Sequence, residues 1–247
     1  DEQLLLYEVA TDDYELPGNS LQSDNTQIDV ADCRMMDGYY NPPYLHFVMG
    51  ADEGNGWGAI RYYRLNVGNF SDINYFTTSL AGTKDYSYPS ITAYTNNTVD
   101  HSSIIAFLAN GAASFPEIRV KPFDNDFNTA ASIQVKAGEA LMSNCFNANA
   151  IIRWGDYSGI TRKPWADVPT VWISGCYSLP SGFWGTWIAE IRDGARPVSG
   201  TTRPEVSTDI LLAPNPASES ILVNIESGQT QKCSFDLFDS SGKLIVH

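Results

Sequence analysis

Residues 44–67 read YLHFVMGADEGNGWGAIRYYRLNV, which is an apolar run, a glycine-rich turn and a second apolar run. The same order recurs in SIIAFLANGAASFPEIRVKPF (103–123) and in TVWISGCYSLPSGFWGTWIAEI (170–191). Strand-forming runs separated by Gly, Asn, Asp and Pro are typical of antiparallel strands joined by tight turns. The threefold order therefore predicts three similar β-units. Each unit carries one isoleucine early in its second run: Ile60, Ile118 and Ile188.

Helical periodicity is nearly absent from the chain, so we expect an all-β protein. A shorter polar and aromatic lead-in precedes each unit, at residues 31–40, 86–94 and 153–160. The predicted strands lie at 4–10, 44–51, 59–67, 103–110, 117–123, 132–137, 170–177 and 186–191.

Corresponding strands are spaced about 60 to 70 residues apart, which is a little longer than the repeat length of known propeller blades. Similar units at a steady spacing predict a partial β-propeller over residues 1–192, with three or more four-stranded blades. A sandwich of two sheets is the alternative, although it does not need this internal similarity. Closed propellers hold about four to eight blades, because fewer leave open sheet edges. We therefore expect the C-terminal blades of a longer propeller, with residues 4–10 as a leftover outer strand.

The lead-in RWGDYSGI (153–160) combines charged, aromatic and small residues just before an apolar run. Three interpretations are open: a catalytic group, a metal-binding loop, or a structural turn that recurs with the repeat. We favour the structural one, with this run as the inner strand of the third unit. Its glycines would allow close backbone approach and Trp154 would fill the core.

The composition changes after Arg192. Residues 193–208 are rich in Gly, Pro, Ser and Thr and predict a linker. Residues 209–247 contain short alternating runs around glycine-bearing turns, which predict a small Ig-like β-sandwich.

The end of the chain holds two spaced motifs. The first is Pro214-Asn215-Pro216, followed by Ala217 and an apolar strand; the second is FDLFDSSGKLI, with Asp239, Gly242 and Lys243. In this order they closely resemble the type A C-terminal sorting domain of the Bacteroidota type IX secretion system. Members of that family usually continue further, through a G-x-Y strand and a basic end, which this sequence does not include.

That resemblance implies a secreted or cell-surface cargo protein, exported through the periplasm and the outer membrane. The six motif residues would be recognised by the outer-membrane translocon and its carrier protein. The upstream units resemble, less specifically, sialidase-like propellers of large secreted proteins in the same bacteria, on the runs Arg153–Gly159 and Trp184–Ile191. The propeller resemblance indicates a fold and no defined activity. The sorting-domain resemblance implies that the exported cargo is released or attached to surface lipopolysaccharide, and the propeller would then be an adhesion or binding module, with a surface glycan or lipopolysaccharide as an expected partner.

Composition excludes several function classes. The formal charge of −14 repels phosphate backbones and anionic lipids, so nucleic acid is not an expected partner. No apolar run is long enough to span a membrane. The chain starts at Asp1 without a signal segment, so we expect a processed or truncated product.

The sequence favours a binding module over an enzyme and leaves enzymatic activity open. A sialidase needs an arginine cluster and a Tyr–Glu nucleophile pair; Arg153, Tyr157 and Glu190 are candidates, although strand Arg and Glu commonly form structural ion pairs. The alternative function is a secreted glycoside hydrolase or peptidase whose catalytic residues lie in missing N-terminal blades. The aromatic residues of 153–172 and 182–187 either line a carbohydrate platform or pack the blades, and we favour packing.

Two further sites are weaker predictions. Asp124, Asp126 and Asn128 have the alternate spacing that opens a calcium loop, but Thr129 and Val135 stand where glycine and glutamate belong, and a polar turn explains the run equally well. Calcium is the only cofactor that the sequence suggests. Four cysteines suit an oxidising compartment, with Cys145 and Cys176 as the predicted disulfide and four free thiols as the alternative.

Overall fold

The computed structural model describes residues 6–70, 73–95, 97, 99–146, 150–193, 209–213, 222–226, 237–238 and 244–246. Within these residues the secondary structure consists of β-strands and no helix, which confirms the all-β prediction. The chain divides into two compact units, residues 1–195 and residues 196–247.

Three consecutive antiparallel sheets build the first unit, and in each the strands follow one another in chain order. A short hairpin, β1 (Ser20–Leu21) and β2 (Gln27–Ile28), precedes them. The first sheet comprises β3 (Met35–Asn41), β4 (Tyr44–Asp52), β5 (Gly58–Asn66) and β6 (Ile73–Thr78). The second comprises β7 (Asp85–Ala93), β8 (Ser103–Gly111), β9 (Ser114–Phe123) and β10 (Ile133–Lys136). The third comprises β11 (Gly159–Arg162), β12 (Thr170–Ser178) and β13 (Trp184–Arg192).

The predicted repeat is present as strand pairs. The two apolar runs of each unit form the central hairpin of each sheet: β4 with β5, β8 with β9, and β12 with β13. In the first of these the register runs from Tyr44 opposite Asn66 to Asp52 opposite Gly58. The prediction of three consecutive antiparallel units is therefore confirmed.

Three expectations about strands differ from the structure. Residues 6–10 form no strand; they lie beside the first sheet through side-chain contact, with the Tyr7 ring 3.9 Å from that of Phe70. Only the end of RWGDYSGI is a strand, because the backbone N–H of Arg153 donates to Cys145 O (3.0 Å) instead of to a sheet neighbour. The third sheet has three strands within the described residues, whereas four were predicted.

The second sheet lies between the other two. Side chains alternate between the two faces of a strand, so each of its faces can pack against one neighbouring sheet. On β8, Ile105 and Phe107 pack with Val48 and Tyr62 of the first sheet. Their neighbours turn the other way, toward Val171 and Ile173 of the third sheet; they are Ile104, Ala106 and Leu108. Two buried apolar layers therefore hold the three sheets together in chain order.

A segment that we call the N-terminal strap, residues 6–16, covers the other face of the first sheet. Glu15 and Asp52 form an antiparallel bridge, with N···O distances of 3.1 and 2.9 Å. The Arg61 guanidinium, 2% exposed, donates to the carbonyl oxygens of Asp12 (2.9 Å) and Asp13 (2.6 Å). The strap is therefore held by one backbone bridge and by the Arg61 side chain, and not by a continuous ladder of strand hydrogen bonds.

The second unit contains two antiparallel hairpins within its described residues. The first pairs β14 (Asp209–Ala213) with β15 (Leu222–Glu226), and the second pairs β16 (Leu237–Phe238) with β17 (Leu244–Val246). The Ig-like sandwich remains a prediction.

Candidate binding surface

The lead-in at residues 153–160 is anchored to the second sheet by its buried half. Trp154 lies in the core beside Leu108 and Tyr88. A Cβ on Gly155 would lie 2.9 Å from Leu108 Cδ1, so a larger residue here would require the Leu108 side chain to shift. The Ser158 hydroxyl donates to the carbonyl of Tyr88 at 2.6 Å. The predicted structural role of Trp154 and of the glycine is confirmed here.

The other half of the lead-in faces solvent. Arg153 and Asp156 form an exposed ion pair, and Tyr157 is 73% exposed. A second exposed pair, Arg34 with Asp32 (2.7 Å), comes from the segment before β3. Burial raises the pKa of the Tyr88 phenol, and the carboxylates of Asp29 and Asp156 act in the same direction. Charged groups that precede β3 and β11 therefore lie around the same part of β7.

Two of the three sialidase candidates, Glu190 and Arg153, form ion pairs with other residues. Glu190 lies on β13 opposite Trp172, and its carboxylate accepts hydrogen bonds from Lys163 (3.0 Å) and from Arg192. These hydrogen bonds, that of Lys163 first, lower the pKa of Glu190. Arg153 is engaged by Asp156 instead. The arrangement is that of structural ion pairs.

Aromatic side chains of the third sheet and its loops are more exposed than we expected. Trp154 is buried, but Trp165 is 97% exposed in the connection between β11 and β12. The remaining exposed aromatic residues of this region are Tyr157, Trp172, Phe183, Trp184 and Trp187. The packing interpretation therefore holds for Trp154 and is wrong for Trp165, whereas Trp172, Trp184 and Trp187 are each 42% to 46% exposed and so partly packed. The exposed indole of Trp165 and the partly exposed indoles offer aromatic contact area to a ligand.

A buried polar network between the first and second sheets was not anticipated. His46 Nδ1 and the Tyr62 hydroxyl are 2.7 Å apart, and Tyr62 is also 2.7 Å from the Ser103 hydroxyl. Tyr39 contacts the same serine at 2.7 Å. His46 is fully buried, and within the described chain its Nε2 atom lacks a hydrogen-bond partner. Burial, followed by the charges of Arg64 and His101, lowers the pKa of His46 to about 3.

Arg64 closes this network at the loop edge. It donates to the carbonyls of Asn125 (2.6 Å) and His101 (3.3 Å), and its guanidinium carbon lies 4.2 Å from the centre of the Phe127 ring. Carbonyl dipoles and aromatic faces therefore stabilise this buried charge. The alternation of residues 44–48 places His46 on an inward face, but the sequence gives no signal for its partners, since they come from three separate strands.

The predicted calcium residues form a compact turn. The Asp124 carboxylate accepts hydrogen bonds from the backbone N–H of Asp126 (2.9 Å) and of Asn128 (2.7 Å), and from the Asn128 side chain (3.0 Å). The hydrogen bond from Asn128 is the main cause of a lowered Asp124 pKa. A polar turn accounts for this geometry. Across the described residues, no three His, Cys, Asp or Glu side chains are grouped as metal ligands.

The predicted disulfide is not formed in this structure. Cys145 and Cys176 are both free thiols, as is Cys33. Burial raises the pKa of the Cys176 thiol, which keeps it in the less reactive protonated form. Cys145 has a positive φ of 69° in the connection before β11, whereas Cys176 lies within β12 opposite Thr186.

The six sorting-signal residues, Pro214, Asn215, Pro216, Asp239, Gly242 and Lys243, lie outside the described residues. The described strands flank both motifs: β14 and β15 enclose the first in sequence, and β16 and β17 enclose the second.

Comparisons with family models, with curated proteins and with solved structures find no match to this chain. Among the described residues there is no helix of the length and apolarity needed to cross a membrane.

Proposed function

We propose that this chain is a cargo protein of the type IX secretion system, with a β-propeller as its binding module and residues 209–247 as its export signal. The observation that carries the proposal is the division of the chain at residue 196. Both motifs fall in the second unit, and each lies between the two strands of one antiparallel hairpin. The separation of both motifs from the first unit is what supports a sorting role for the second unit.

The propeller architecture is supported by the order of the sheets. Each is an up-and-down meander, and its first strand lies against the preceding sheet: β7 against β3, and β11 against β7. Consecutive meanders stacked through their first strands are what a ring of blades requires.

A binding role is supported by the exposed groups of the first unit. Exposed tryptophan and tyrosine rings, including Trp165 and Tyr157, offer large rigid contact area. Two of the candidate acid–base groups already form ion pairs: Arg153 pairs with Asp156, and Glu190 pairs with Lys163 and Arg192. We propose a cell-surface glycan or lipopolysaccharide sugar as the ligand, and a location outside the outer membrane for the exported protein.

The export role is tested by substituting motif residues in the full chain, expressed in a bacterium that carries the type IX machinery. Pro214→Ala with Pro216→Ala, and separately Lys243→Ala, should leave the protein in the periplasm. The matched controls are Pro197→Ala with Pro204→Ala in the linker, and Lys232→Ala between the hairpins. Export of the motif variants at the level of the controls would refute the sorting role.

A further inference from the structure

Arg64 differs from two other strand arginines of the first unit, because no carboxylate pairs with it. Arg61 pairs with Glu53 at 2.6 Å, and Arg119 pairs with Glu117 at 2.6 Å. Arg64 is 6% exposed, and within the described residues its guanidinium donates to neutral oxygen atoms, those of two backbone carbonyls and one tyrosine hydroxyl. Such dipoles stabilise a buried cation, but they do not cancel its charge. One positive charge therefore remains unbalanced between the first and second sheets.

Two buried nitrogen atoms at this position have no hydrogen-bond partner in the described part of the chain: Arg64 Nε and His46 Nε2. His46 and Arg64 lie directly opposite each other in the pairing of β4 with β5, and directly opposite residues share one face of a sheet. Both side chains also contact the Tyr62 hydroxyl, His46 through Nδ1 at 2.7 Å and Arg64 through Nη2 at 3.3 Å. The two unpartnered atoms therefore lie in the same part of the interface between the sheets.

Both unpartnered atoms are hydrogen-bond donors. The Nε atom of an arginine always carries a proton, whereas a neutral histidine carries a proton on one ring nitrogen alone. The Tyr62 hydroxyl decides which nitrogen of His46 this is, because it has one proton and two partners at 2.7 Å, His46 Nδ1 and the Ser103 hydroxyl. Since an imidazole nitrogen is a stronger base than a hydroxyl, Tyr62 donates to Nδ1. The proton of His46 therefore lies on Nε2.

Two unmet N–H groups beside an unbalanced positive charge match an acceptor that carries a negative charge. A water molecule would accept from both groups but would leave the charge of Arg64 unbalanced. We propose that a small monovalent anion of the size of chloride binds between the Nε2–H of His46 and the Nε–H of Arg64. The rings of Phe127 and Tyr44 cover the guanidinium, at 4.2 and 5.8 Å from its carbon, and both nitrogen atoms are closed to solvent. The ion is therefore monatomic and not a phosphate or a sulfate.

The carboxylates nearest in sequence to the carbonyl groups that bind Arg64 are engaged in turns of their own. Asp100 precedes His101, and its carboxylate accepts a hydrogen bond from the backbone N–H of Ser102 at 2.8 Å. Asp124 precedes Asn125, and its carboxylate accepts from the backbone N–H of Asn128 at 2.7 Å. Neither carboxylate is paired with Arg64 among the ion pairs of the described residues. The balancing charge has to come from the solvent.

The test is thermal unfolding of the full chain at neutral pH, with sodium gluconate replaced stepwise by sodium chloride or sodium bromide at constant ionic strength. General screening is then constant, so an ion that binds the folded chain alone raises the unfolding temperature with its concentration. Arg64→Lys keeps the charge and removes the Nε–H group, which should weaken the apparent chloride affinity at least about tenfold. Arg61→Lys is the matched control, because Arg61 is a buried arginine of the same strand that already pairs with Glu53. The control should keep the chloride response of the wild type.

Bromide locates the ion directly, because its anomalous X-ray scattering distinguishes it from water. In crystals of the wild-type chain grown in sodium bromide, the anomalous density should show a peak in contact with His46 Nε2 and Arg64 Nε. This measurement decides the matter even where Arg64→Lys does not fold. Three results would overturn the inference: a chloride response equal in Arg64→Lys and in the wild type, a wild type that does not distinguish chloride from gluconate, or bromide at the surface only with water between the two nitrogen atoms. The site lies wholly in the first unit, so each of these results leaves the proposed export role as it stands.

Discussion

At the scale of single residues, the first unit depends on positions where the surrounding packing limits the size of the side chain. Gly155 is the clearest, because the second sheet comes so close to it that a Cβ would lie 2.9 Å from Leu108 Cδ1. Trp154, beside it, is buried in the same layer. These two residues fix the path by which the chain enters the third sheet.

Gly155→Ala should destabilise the first unit by about 1 to 3 kcal/mol, because Leu108 must shift in a packed core to accommodate the methyl group. Gly18→Ala is the matched control, since a Cβ at Gly18 meets nothing within 4 Å. Chemical denaturation of the two variants measures the difference. Equal stabilities would show that the second sheet does not approach Gly155 this closely.

His46 should make stability depend on pH. Its pKa is lowered to about 3 in the folded protein, first by burial and then by Arg64 and His101, while an unfolded histidine titrates near its usual 6.5. Between these values the unfolded chain binds more protons, so stability is fully present above about pH 6.5 and is lost as the pH falls toward 3. The loss should approach, at most, about 1.4 kcal/mol per pH unit.

His46→Gln should flatten this dependence, although it also lowers stability at neutral pH because it disturbs the hydrogen bond to Tyr62. Urea denaturation at several pH values from 7 to 4 measures the slope. His101→Gln is the control, since His101 is only partly buried and should carry a smaller share of the slope. A slope that survives in His46→Gln and disappears in His101→Gln would contradict the assignment.

At the scale of elements, the sequence predicted the hairpins and not the segments that join them. The strands β4, β5, β8, β9 and β12 match their predicted bounds within a few residues, because long apolar runs between glycine-rich turns have few alternatives. The strand β6 was missed, since INYFTT is short and half polar. Residues 4–10 (LLLYEVA) were predicted as a strand, but the position of the strap is decided by Arg61 and Tyr75, which are distant from it in sequence.

The candidate surface was less predictable than the fold, because it too depends on residues that are distant in sequence. The sequence indicated where the tryptophans are, but the exposure of their side chains depends on which faces of the third sheet are covered. The ion pairs of Glu190 with Lys163 and Arg192 join neighbouring strands, so they could be anticipated only as a general tendency.

The strap should loosen when Arg61 is changed to lysine. Lysine keeps the charge, but a single ammonium cannot reach two carbonyls and the Glu53 carboxylate as the guanidinium does, at 2.6 to 3.0 Å. Hydrogen exchange at the Glu15 amide, which donates to Asp52, should become at least about tenfold faster. Arg34→Lys, at an exposed pair, is the control. Unchanged exchange in Arg61→Lys would show that the bridge alone holds the strap.

At the scale of the whole molecule, each described strand finds its partners within its own unit. The first unit has two buried apolar layers between its sheets, whereas the second carries the two motifs that resemble a sorting signal. The acidic charge of −14 suits a protein that stays soluble and avoids anionic surfaces. In the proposed function, the first unit is the cargo and the second unit is its export signal.

The most direct test of this account is the location of a chain that lacks residues 209–247. In a bacterium with the type IX machinery, fractionation should find the full chain outside the cell or on its surface, and the shortened chain in the periplasm. The retained protein should still be folded, with the same near-ultraviolet circular dichroism from its buried Trp154 and Tyr62. Normal export of the shortened chain would contradict the account, because the signal would then lie elsewhere.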